Sequence, residues 1–283
     1  MNRCSPYLTG GPYGGAVTTV PTPPSVPSEP SEPTPPGRML DLIADGIATR
    51  LGDGLLGLYV HGSYVAGDFD PARSDLDLLA VLRDVPTATT LELLRPLHAR
   101  LAVDHPAWAD RIEVDYLPTA TLTTLADRSG PMIRISPGEP LHLFEATRHY
   151  LLNVAFARST GRSLRGPSPT AVLPPVDRVA VLAVVREHAA SWPAWVTDAR
   201  GRPGAQAYAV LTLCRALHLV TEGTQVSKRR AAAWAAARRL ESAELIEWAT
   251  AWWYDGGTVG APGRFEEVAT LVHSVSAEVA ALP

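Results

Sequence analysis

Two aspartates in the first third of the chain, Asp75 and Asp77, have the spacing expected of a metal site. They flank Leu76 at the start of the apolar run 76–82. If that run is a strand, its side chains alternate between two faces, so both carboxylates project from the same face. Neighbouring carboxylates repel each other unless a cation lies between them, and Mg²⁺ is bound by one or two carboxylates together with substrate phosphates. The pair therefore predicts a magnesium site.

A glycine and a serine precede these aspartates at the end of another apolar run, 55–60. Gly62 and Ser63 are placed to end a strand and to open a helix, whose first N–H groups have no partner within the helix. Such a helix start suits a phosphate group. The stretch 57–82 therefore predicts a combined metal and nucleotide-phosphate site.

A third carboxylate lies on a later alternating stretch, 111–117, with the sequence RIEVDYL. The alternation puts Ile112, Val114 and Tyr116 on one face of a strand and Glu113 and Asp115 on the other. If this strand lies beside the strand of the aspartate pair, a third carboxylate can join the site.

Helical patterns surround these predicted strands. Leucine and isoleucine recur at helical spacing in 39–51 and 88–103, whereas 119–140 is a looser stretch with several turn residues. A further helix is expected over 145–158, and the Gly- and Pro-containing segment GRSLRGPSP closes the N-terminal unit at about residue 165.

The spacing of apolar residues predicts helices throughout the remainder of the chain. Short loops between amphipathic helices predict a bundle over 166–283. Ser227 and Ser242 suit helix N-termini, and Gly223 and Gly256 suit C-terminal ends. The five predicted helices are 178–190, 206–223, 227–240, 242–254 and 263–282.

Composition narrows the class of protein. The net charge is -4 and the basic residues are dispersed, which gives a nucleic-acid partner little electrostatic support. Cys4 and Cys214 are the two cysteines, so a disulfide framework is not expected and a reducing compartment fits. The sequence has neither a secretory signal pattern nor an apolar run long enough to span a membrane. We expect a cytoplasmic protein that acts as a monomer.

The first 37 residues form a Pro-rich segment that holds ten of the 26 prolines of the chain. Such a segment cannot bury enough apolar surface to offset the entropy lost on ordering, so we expect it to be disordered. Two alternatives stay open: a Pro-rich ligand for a partner domain, and a chain that starts at Met39.

Two blocks of sequence resemble one enzyme family. HGSYVAGDFDPARSDLDLLAVL followed by RIEV resembles the nucleotidyltransferase segment of the aminoglycoside adenylyltransferases that inactivate streptomycin and spectinomycin. YAVLTLCRALHLVTEGTQVSKRRAAAWA resembles the helical C-terminal domain of the same enzymes. The resemblance implies an α/β nucleotidyltransferase domain over 38–165, with a small mixed sheet and flanking helices, followed by an all-helical bundle domain over 166–283.

The resemblance also implies roles at the nucleotide. Asp75, Asp77 and Glu113 correspond to the residues that hold Mg²⁺, and Glu113 to the general base that deprotonates the acceptor hydroxyl, with Asp115 as the fallback. ATP is the implied co-substrate. The implied contacts to its phosphates and base are Gly62, Ser63, Ser74, Arg215, Lys228 and Tyr254.

For the acceptor, the resemblance implies an aromatic and acidic surface formed by Trp192, Trp195 and Asp198. Carboxylates suit a cationic sugar, and aromatic faces support sugar or guanidinium groups. The family carries an acidic residue shortly before the VLTLCR helix, but here GRPGAQAY stands in that place without a carboxylate. The alternatives left open are a nucleotidyltransferase for another small-molecule or protein hydroxyl, and a non-catalytic nucleotide-binding regulator.

Overall fold

The computed structural model describes residues 33–257 and 263–282. A six-stranded mixed sheet with flanking helices forms the N-terminal part, and helices form the rest. The strands are β1 Leu55–His61, β2 Leu76–Leu82, β3 Ile112–Pro118, β4 Gly130–Ser136, β5 Glu139–Ala146 and β6 Arg162–Arg165. The helices are α1 Pro36–Leu51, α2 Ser63–Ala66, α3 Ala88–Asp104, α4 Thr119–Thr124, α5 Leu151–Thr160, α6 Pro169–Val172, α7 Arg178–Trp195, α8 Pro203–Glu222, α9 Lys228–Arg238, α10 Ala243–Tyr254 and α11 Phe265–Ala281.

The sheet has the strand order β5-β4-β3-β2-β1-β6, and β2 and β3 form its parallel pair. Helix α3 lies between these two strands in sequence, as a parallel connection requires. The register pairs Asp77 with Glu113 on one side and with His61 of antiparallel β1 on the other. The sheet therefore brings the predicted carboxylates side by side at the start of β2 and β3.

Both faces of the central strands are buried. Leu58, Leu76 and Leu78 pack with α1 and α3 in one apolar cluster. Tyr59 and Leu79 point to the opposite face and belong to a second cluster, which continues into the C-terminal helices. The helical part is thus joined to the sheet through a shared core.

Helix α8 is the centre of the C-terminal part and packs against α7, α9, α10 and α11. Its residues from Gln206 to Val220 are almost all buried. It ends at Gly223, whose φ of 71° is the left-handed conformation that glycine adopts most easily. The expected bundle is confirmed, as is the expected C-terminal glycine of this helix.

Most predicted elements are confirmed within a few residues, including β1, β2, β3, α1 and α3. Ser227 caps α9, since its Oγ accepts a hydrogen bond from the N–H of Arg230. Ser242 occupies the N-cap position of α10, as predicted, but its side chain makes no capping hydrogen bond. No helix in the described residues is long and apolar enough to cross a membrane.

The stretch 119–160 differs from the sequence prediction. Residues 119–140, expected to be loose, contain α4, β4 and the start of β5. Glu145 and Ala146 end β5, so the helix expected from residue 145 begins only at Leu151. The two strands form a hairpin that turns at Gly138, where φ is 82°. The segment predicted to be disordered is 1–37, and its residues 1–32 lie outside the described residues.

Candidate active site

The carboxylates at the edge of β2 and β3 strongly influence one another. Burial raises the pKa of Asp77 to about 7, and repulsion from Asp75 adds to the effect. Burial likewise raises the pKa of Glu113 to about 8, while Arg134 opposes the change and Asp115, Asp77 and Asp75 add to it. Clustered carboxylates with raised pKa values are stabilised by a nearby cation, because it offsets their mutual repulsion. The geometry therefore suits a bound cation.

Gly62 lies directly against one of these carboxylates. It precedes α2 with a φ of 67°, a conformation that side chains rarely adopt. A Cβ atom at this position would lie 2.0 Å from Oδ2 of Asp77. Only glycine fits, and the turn that begins at Ser63 is thereby held beside the carboxylate of β2.

Ser74 is fixed by the loop that leads into β2. Its Oγ accepts a hydrogen bond from the N–H of Asp70 at 2.9 Å. Arg111 donates from Nη2 and Nε to the Ser74 carbonyl, at 2.6 and 3.1 Å. These bonds hold the backbone that carries Asp75 in one position.

Arg134 of β4 is a residue of the site that the sequence reasoning missed. Its side chain is 1% exposed and contacts three carboxylates: Asp115 at 2.7 Å, Glu113 at 3.2 Å and Glu139 at 3.5 Å. Asn153 also donates to Asp115, at 2.9 Å. The alternation of residues 131–136 could have indicated a strand, but the pairing of Arg134 with Asp115 is shown only by the structure.

The two carboxylates of β3 have different surroundings. The side chain of Asp115 is 1% exposed and is held by Arg134 and Asn153, whereas that of Glu113 is 15% exposed. Glu113 pairs directly with Asp77 in the parallel register of β2 and β3. Of the two, Glu113 is the one that borders both the aspartates and solvent.

Two cations of the helical part act on the aspartates electrostatically. The charges of Lys228 and Arg215 both oppose the rise in the pKa of Asp77. The ammonium group of Lys228 lies 4.3 Å from the ring centre of Tyr208 and 4.6 Å from that of Trp253. Lys228 is therefore packed against two aromatic rings of the helical part, and its charge acts on Asp77.

Tyr254 lies at the edge of this region and contacts the loop after α2. Its hydroxyl donates to Oδ2 of Asp68 at 2.7 Å, and the guanidinium of Arg229 lies 4.0 Å from its ring centre. An open cavity of about 260 Å³ beside this contact is lined by Gly67, Asp68, Phe69, Asp70 and Arg229.

The three predicted acceptor residues line one cleft. Trp192, Trp195 and Asp198 surround a space of about 50 Å³ together with Ala199, Arg202, Ala205 and Tyr208. The ring of Tyr208 is 6.1 Å from that of Trp192 and also lies under Lys228. Tyr208, which sequence reasoning missed, thus joins this cleft to the cationic region.

The predicted metal residues do not enclose a metal by themselves. Across residues 33–257 and 263–282, no group of three or more His, Cys, Asp or Glu side chains is gathered closely enough to hold an ion. Glu113 is engaged by Arg134. Two aspartates nevertheless supply the hard oxygen donors that Mg²⁺ uses when phosphates and water complete its shell.

Comparisons with known proteins agree with this arrangement. Residues 41–135 match the family model for a nucleotidyltransferase domain, and residues 171–278 match the model for the C-terminal domain of aminoglycoside adenylyltransferase. No protein with a curated description matches the chain. The resemblance expected from the two sequence blocks is therefore confirmed.

A solved structure has a similar fold: spectinomycin adenyltransferase AAD(9) from Enterococcus faecialis, crystallised with ATP and spectinomycin. The TM-score is 0.68 at 17% sequence identity, and the match covers 84% of this chain and 98% of that one. The expected fold class, an α/β nucleotidyltransferase sheet followed by helices, is confirmed.

Proposed function

The chain is a nucleotidyltransferase that combines a nucleotidyltransferase domain with an aminoglycoside adenylyltransferase C-terminal domain, and we propose that it transfers AMP from ATP to a hydroxyl of an aminoglycoside such as streptomycin or spectinomycin. The observation that carries the proposal is the parallel register of β2 and β3. It sets Asp77 beside Glu113, and the charges of Lys228 and Arg215 in the helical part act on the Asp77 carboxylate. This combination of acidic and cationic groups supports the binding of a metal-bound triphosphate.

Asp75 and Asp77 are the residues we assign to Mg²⁺, with Glu113 at the edge of the same group. When bound, the ion neutralises charge on the triphosphate and on the departing pyrophosphate. The fit rests on adjacent carboxylates whose pKa values are raised by burial and by one another. We assign the nucleotide phosphates to Gly62, Ser63, Ser74, Arg215 and Lys228.

Glu113 is the proposed general base. The acceptor oxygen attacks the α-phosphorus of ATP, its proton passes to the Glu113 carboxylate, and the bond to the bridging oxygen breaks to release pyrophosphate. Asp115 is unsuited to this role because it is fully buried and held by Arg134 and Asn153. Burial raises the pKa of Glu113 to about 8, so its carboxyl is largely protonated at neutral pH in the unliganded protein; Arg134 opposes the rise, and a bound cation would lower the pKa further and favour the ionised, basic form.

We place one cationic substituent of the acceptor at the cleft of Trp192, Trp195 and Asp198, whose space of about 50 Å³ is too small for a whole aminoglycoside. The half-buried ring of Trp195 offers a flat apolar surface, whereas Trp192 is only 6% exposed; the exposed Asp198 carboxylate offers a partner for an ammonium or guanidinium group. Tyr208 joins this cleft to Lys228, so an acceptor seated there lies next to the proposed phosphate region. Tyr254 stays a proposed contact to the nucleotide at the opposite edge.

The proposed organisation keeps the division near residue 165, with the sheet domain before it and the helical domain after it. The substrates meet between the two, since the carboxylates belong to β2 and β3 and the cations to α8 and α9. We further propose that the protein works as a cytoplasmic monomer.

An adenylylation assay tests the proposal. The protein is incubated with ATP, Mg²⁺ and either streptomycin or spectinomycin, and the products are measured by mass spectrometry and by pyrophosphate release. We expect a product heavier by one AMP, and we expect D75N and D77N to abolish it. The matched control D84N, which alters an exposed aspartate just after β2, should leave turnover intact. Absence of AMP transfer to both antibiotics removes them as substrates.

A second acceptor class is favoured by one observation in the cleft. The lining holds one carboxylate, Asp198, and one guanidinium, Arg202, and that balance suits an acceptor with little positive charge. A less cationic hydroxyl compound is therefore the alternative substrate. Untargeted mass spectrometry of a small-molecule extract, incubated with enzyme and ATP, would reveal it as a new AMP adduct that the D77N variant does not form.

A further inference from the structure

Asp68 joins the sheet part of the molecule to two helices of the C-terminal part. Its side chain is 11% exposed although it lies in a loop. Oδ1 pairs with Nε of Arg229 at 3.2 Å, and Oδ2 accepts the hydroxyl of Tyr254 at 2.7 Å. Oδ2 also lies 3.5 Å from the backbone N–H of Arg229. One carboxylate thus contacts the first turn of α9 and the last turn of α10.

These contacts complete the N-terminus of α9. Ser227 accepts from the N–H of Arg230, and Asp68 reaches the N–H of Arg229 from a different domain. Both are N–H groups that a helix cannot pair internally, and a carboxylate at this end also interacts favourably with the helix dipole. The first turn of α9 is therefore fixed partly by a residue of the sheet domain.

A neighbouring contact fixes the end of α10 to the same loop. Arg73 donates from Nη1 to the carbonyls of Trp252 and Trp253, at 3.2 and 2.7 Å. Carbonyls in the last turn of a helix lack internal partners and attract cations. The loop between α2 and β2 thus holds the start of α9 and the end of α10. Arg73, which makes the second of these contacts, lies two residues before Asp75.

These contacts fix the position of Lys228. It precedes Arg229 in the first turn of α9, and its ammonium group lies 4.3 Å from the ring centre of Tyr208 and 4.6 Å from that of Trp253. The Asp68 cluster, defined as Asp68, Arg229 and Tyr254, is closed on itself because Arg229 also lies over the Tyr254 ring. Moving α9 away from Asp68 would move Lys228 away from the rings of Tyr208 and Trp253.

We propose that Asp68 is a positioning residue for the nucleotide site, which acts through Arg229 to hold Lys228 in place over Tyr208 and Trp253, where we assign it to the phosphates. The inference rests on the proposed function for its link to nucleotide. Asp68 belongs to none of the sets of residues that we assign to the metal, the phosphates or the acceptor. Asp68 acts on how tightly ATP is held rather than on the proton transfer, because Glu113 and the aspartates belong to β2, β3 and the loop before β2.

The experiment compares D68N and R229Q with a matched control, R238Q. Arg238 is on the same helix, pairs with Glu222 at 3.4 Å and lies 4.5 Å from the ring centre of Trp234, so it repeats the chemistry of Arg229 within the helical domain. Two readouts are used: hydrogen exchange of the peptide 226–232 in the protein without ligands, and steady-state kinetics with ATP.

We expect faster exchange in 226–232 for D68N and R229Q but not for R238Q. We expect the KM for ATP to rise about tenfold in both variants, the scale set by the loss of one charge-assisted hydrogen bond. The double variant should be no worse than either single one, kcat should change less than threefold, and D68E should recover part of the loss. The KM for the acceptor should stay unchanged.

Three results would overturn the proposal. Unchanged exchange in D68N means that Asp68 does not hold the start of α9. Faster exchange with an unchanged KM for ATP means that it holds the helix without positioning the nucleotide site. Additive effects of D68N and R229Q mean that the two residues act separately. A wild-type protein that neither binds ATP nor transfers AMP contradicts the proposed function instead, and the exchange result still decides whether Asp68 holds α9.

Discussion

Arg134 donates from Nη1 to Oδ1 of Asp115 over 2.7 Å, and both side chains are 1% exposed. The guanidinium also reaches Glu113 and Glu139 and lies over the ring of Tyr150. The pair therefore joins the interior of the sheet to the proposed general base. Removing one member of a buried ion pair leaves the other charge without compensation in a region that water cannot reach.

Replacing Arg134 by Met should therefore lower the free energy of unfolding by about 3–5 kcal/mol. Urea denaturation followed by circular dichroism measures the change. The control R95M breaks the pair of Arg95 with Glu92, whose side chains are 49% and 65% exposed, and should cost less than about 1 kcal/mol. A similar cost for both variants would mean that the Arg134 network contributes little.

Gly62 and Gly67 form a second matched comparison. Both have positive φ, but Gly62 (φ 67°, ψ -146°) is in a region essentially confined to glycine, whereas Gly67 (φ 73°, ψ 23°) is in the left-handed helical region, so alanine strains the backbone more at Gly62. A Cβ on Gly62 would collide with the Asp77 carboxylate, whereas one on Gly67 would have no heavy atom within 4 Å. We expect G62A to lose at least a hundredfold in kcat/KM and G67A to keep most of its activity. Equal losses in adenylylation rate would contradict a special role of Gly62 beside the Asp77 carboxylate.

Glu113 and Asp115 should respond differently to loss of charge. E113Q is expected to lower kcat by about 10²–10⁴-fold with ATP binding retained, since it removes the proposed base. D115N should lower stability instead, because it breaks the buried pair with Arg134. Isothermal titration with ATP, pre-steady-state AMP transfer and denaturation distinguish the two. The assignment of the base fails if E113Q turns over at the wild-type rate.

His98 predicts a pH-dependent contribution to stability. Burial, and secondly the charge of Arg50, lower its pKa to about 4, and its Nε2 lies 2.7 Å from the Tyr116 hydroxyl. Its ordinary pKa is about 6.5, so the unfolded chain binds a proton that the folded one refuses as the pH falls between these values. The stabilisation present above pH 6.5 is lost toward pH 4, up to about 3 kcal/mol at roughly 1.4 kcal/mol per pKa unit.

The comparison that isolates His98 is H98Q against wild type. The raised pKa values of Asp77 and Glu113 act in the opposite sense, because the folded protein takes up their protons first as the pH falls. The pH dependence of the wild-type free energy of unfolding is therefore the difference between the contribution of His98 and the opposing contributions of Asp77 and Glu113. The stability gap between wild type and H98Q should narrow from pH 7.5 to pH 4.5, and a constant gap would contradict a buried neutral imidazole.

Sequence alone located the central strands and their carboxylates for a clear physical reason. Apolar residues that fill both faces of β1 and β2 form continuous runs, and the alternation in β3 separates Glu113 from Val114 without reference to anything distant. Lys228 and Arg215 came from the resemblance rather than from pattern, because a cation on a helix has no local signature of what it faces.

Other parts of the site depend on pairings that no local pattern reveals. Arg134 was missed because the turn residues around Gly138 suggested a loose segment, although they belong to a hairpin. The partners of Asp68 are 161 and 186 residues away in sequence. Tyr208 was read as part of an apolar helix, and only the packing of α8 against its neighbours shows what its ring touches.

The parallel pairing of β2 with β3 also determines where the chain can be lengthened. The register that sets Asp77 against Glu113 is held by hydrogen bonds between strands, not by the length of the connection that carries α3. The entropic cost of closing a flexible loop rises only slowly with the length of the loop. A reporter peptide inserted between the exposed Asp84 and Val85 would therefore leave the two carboxylates in register, which makes this turn a suitable place to attach a fluorophore or an affinity tag.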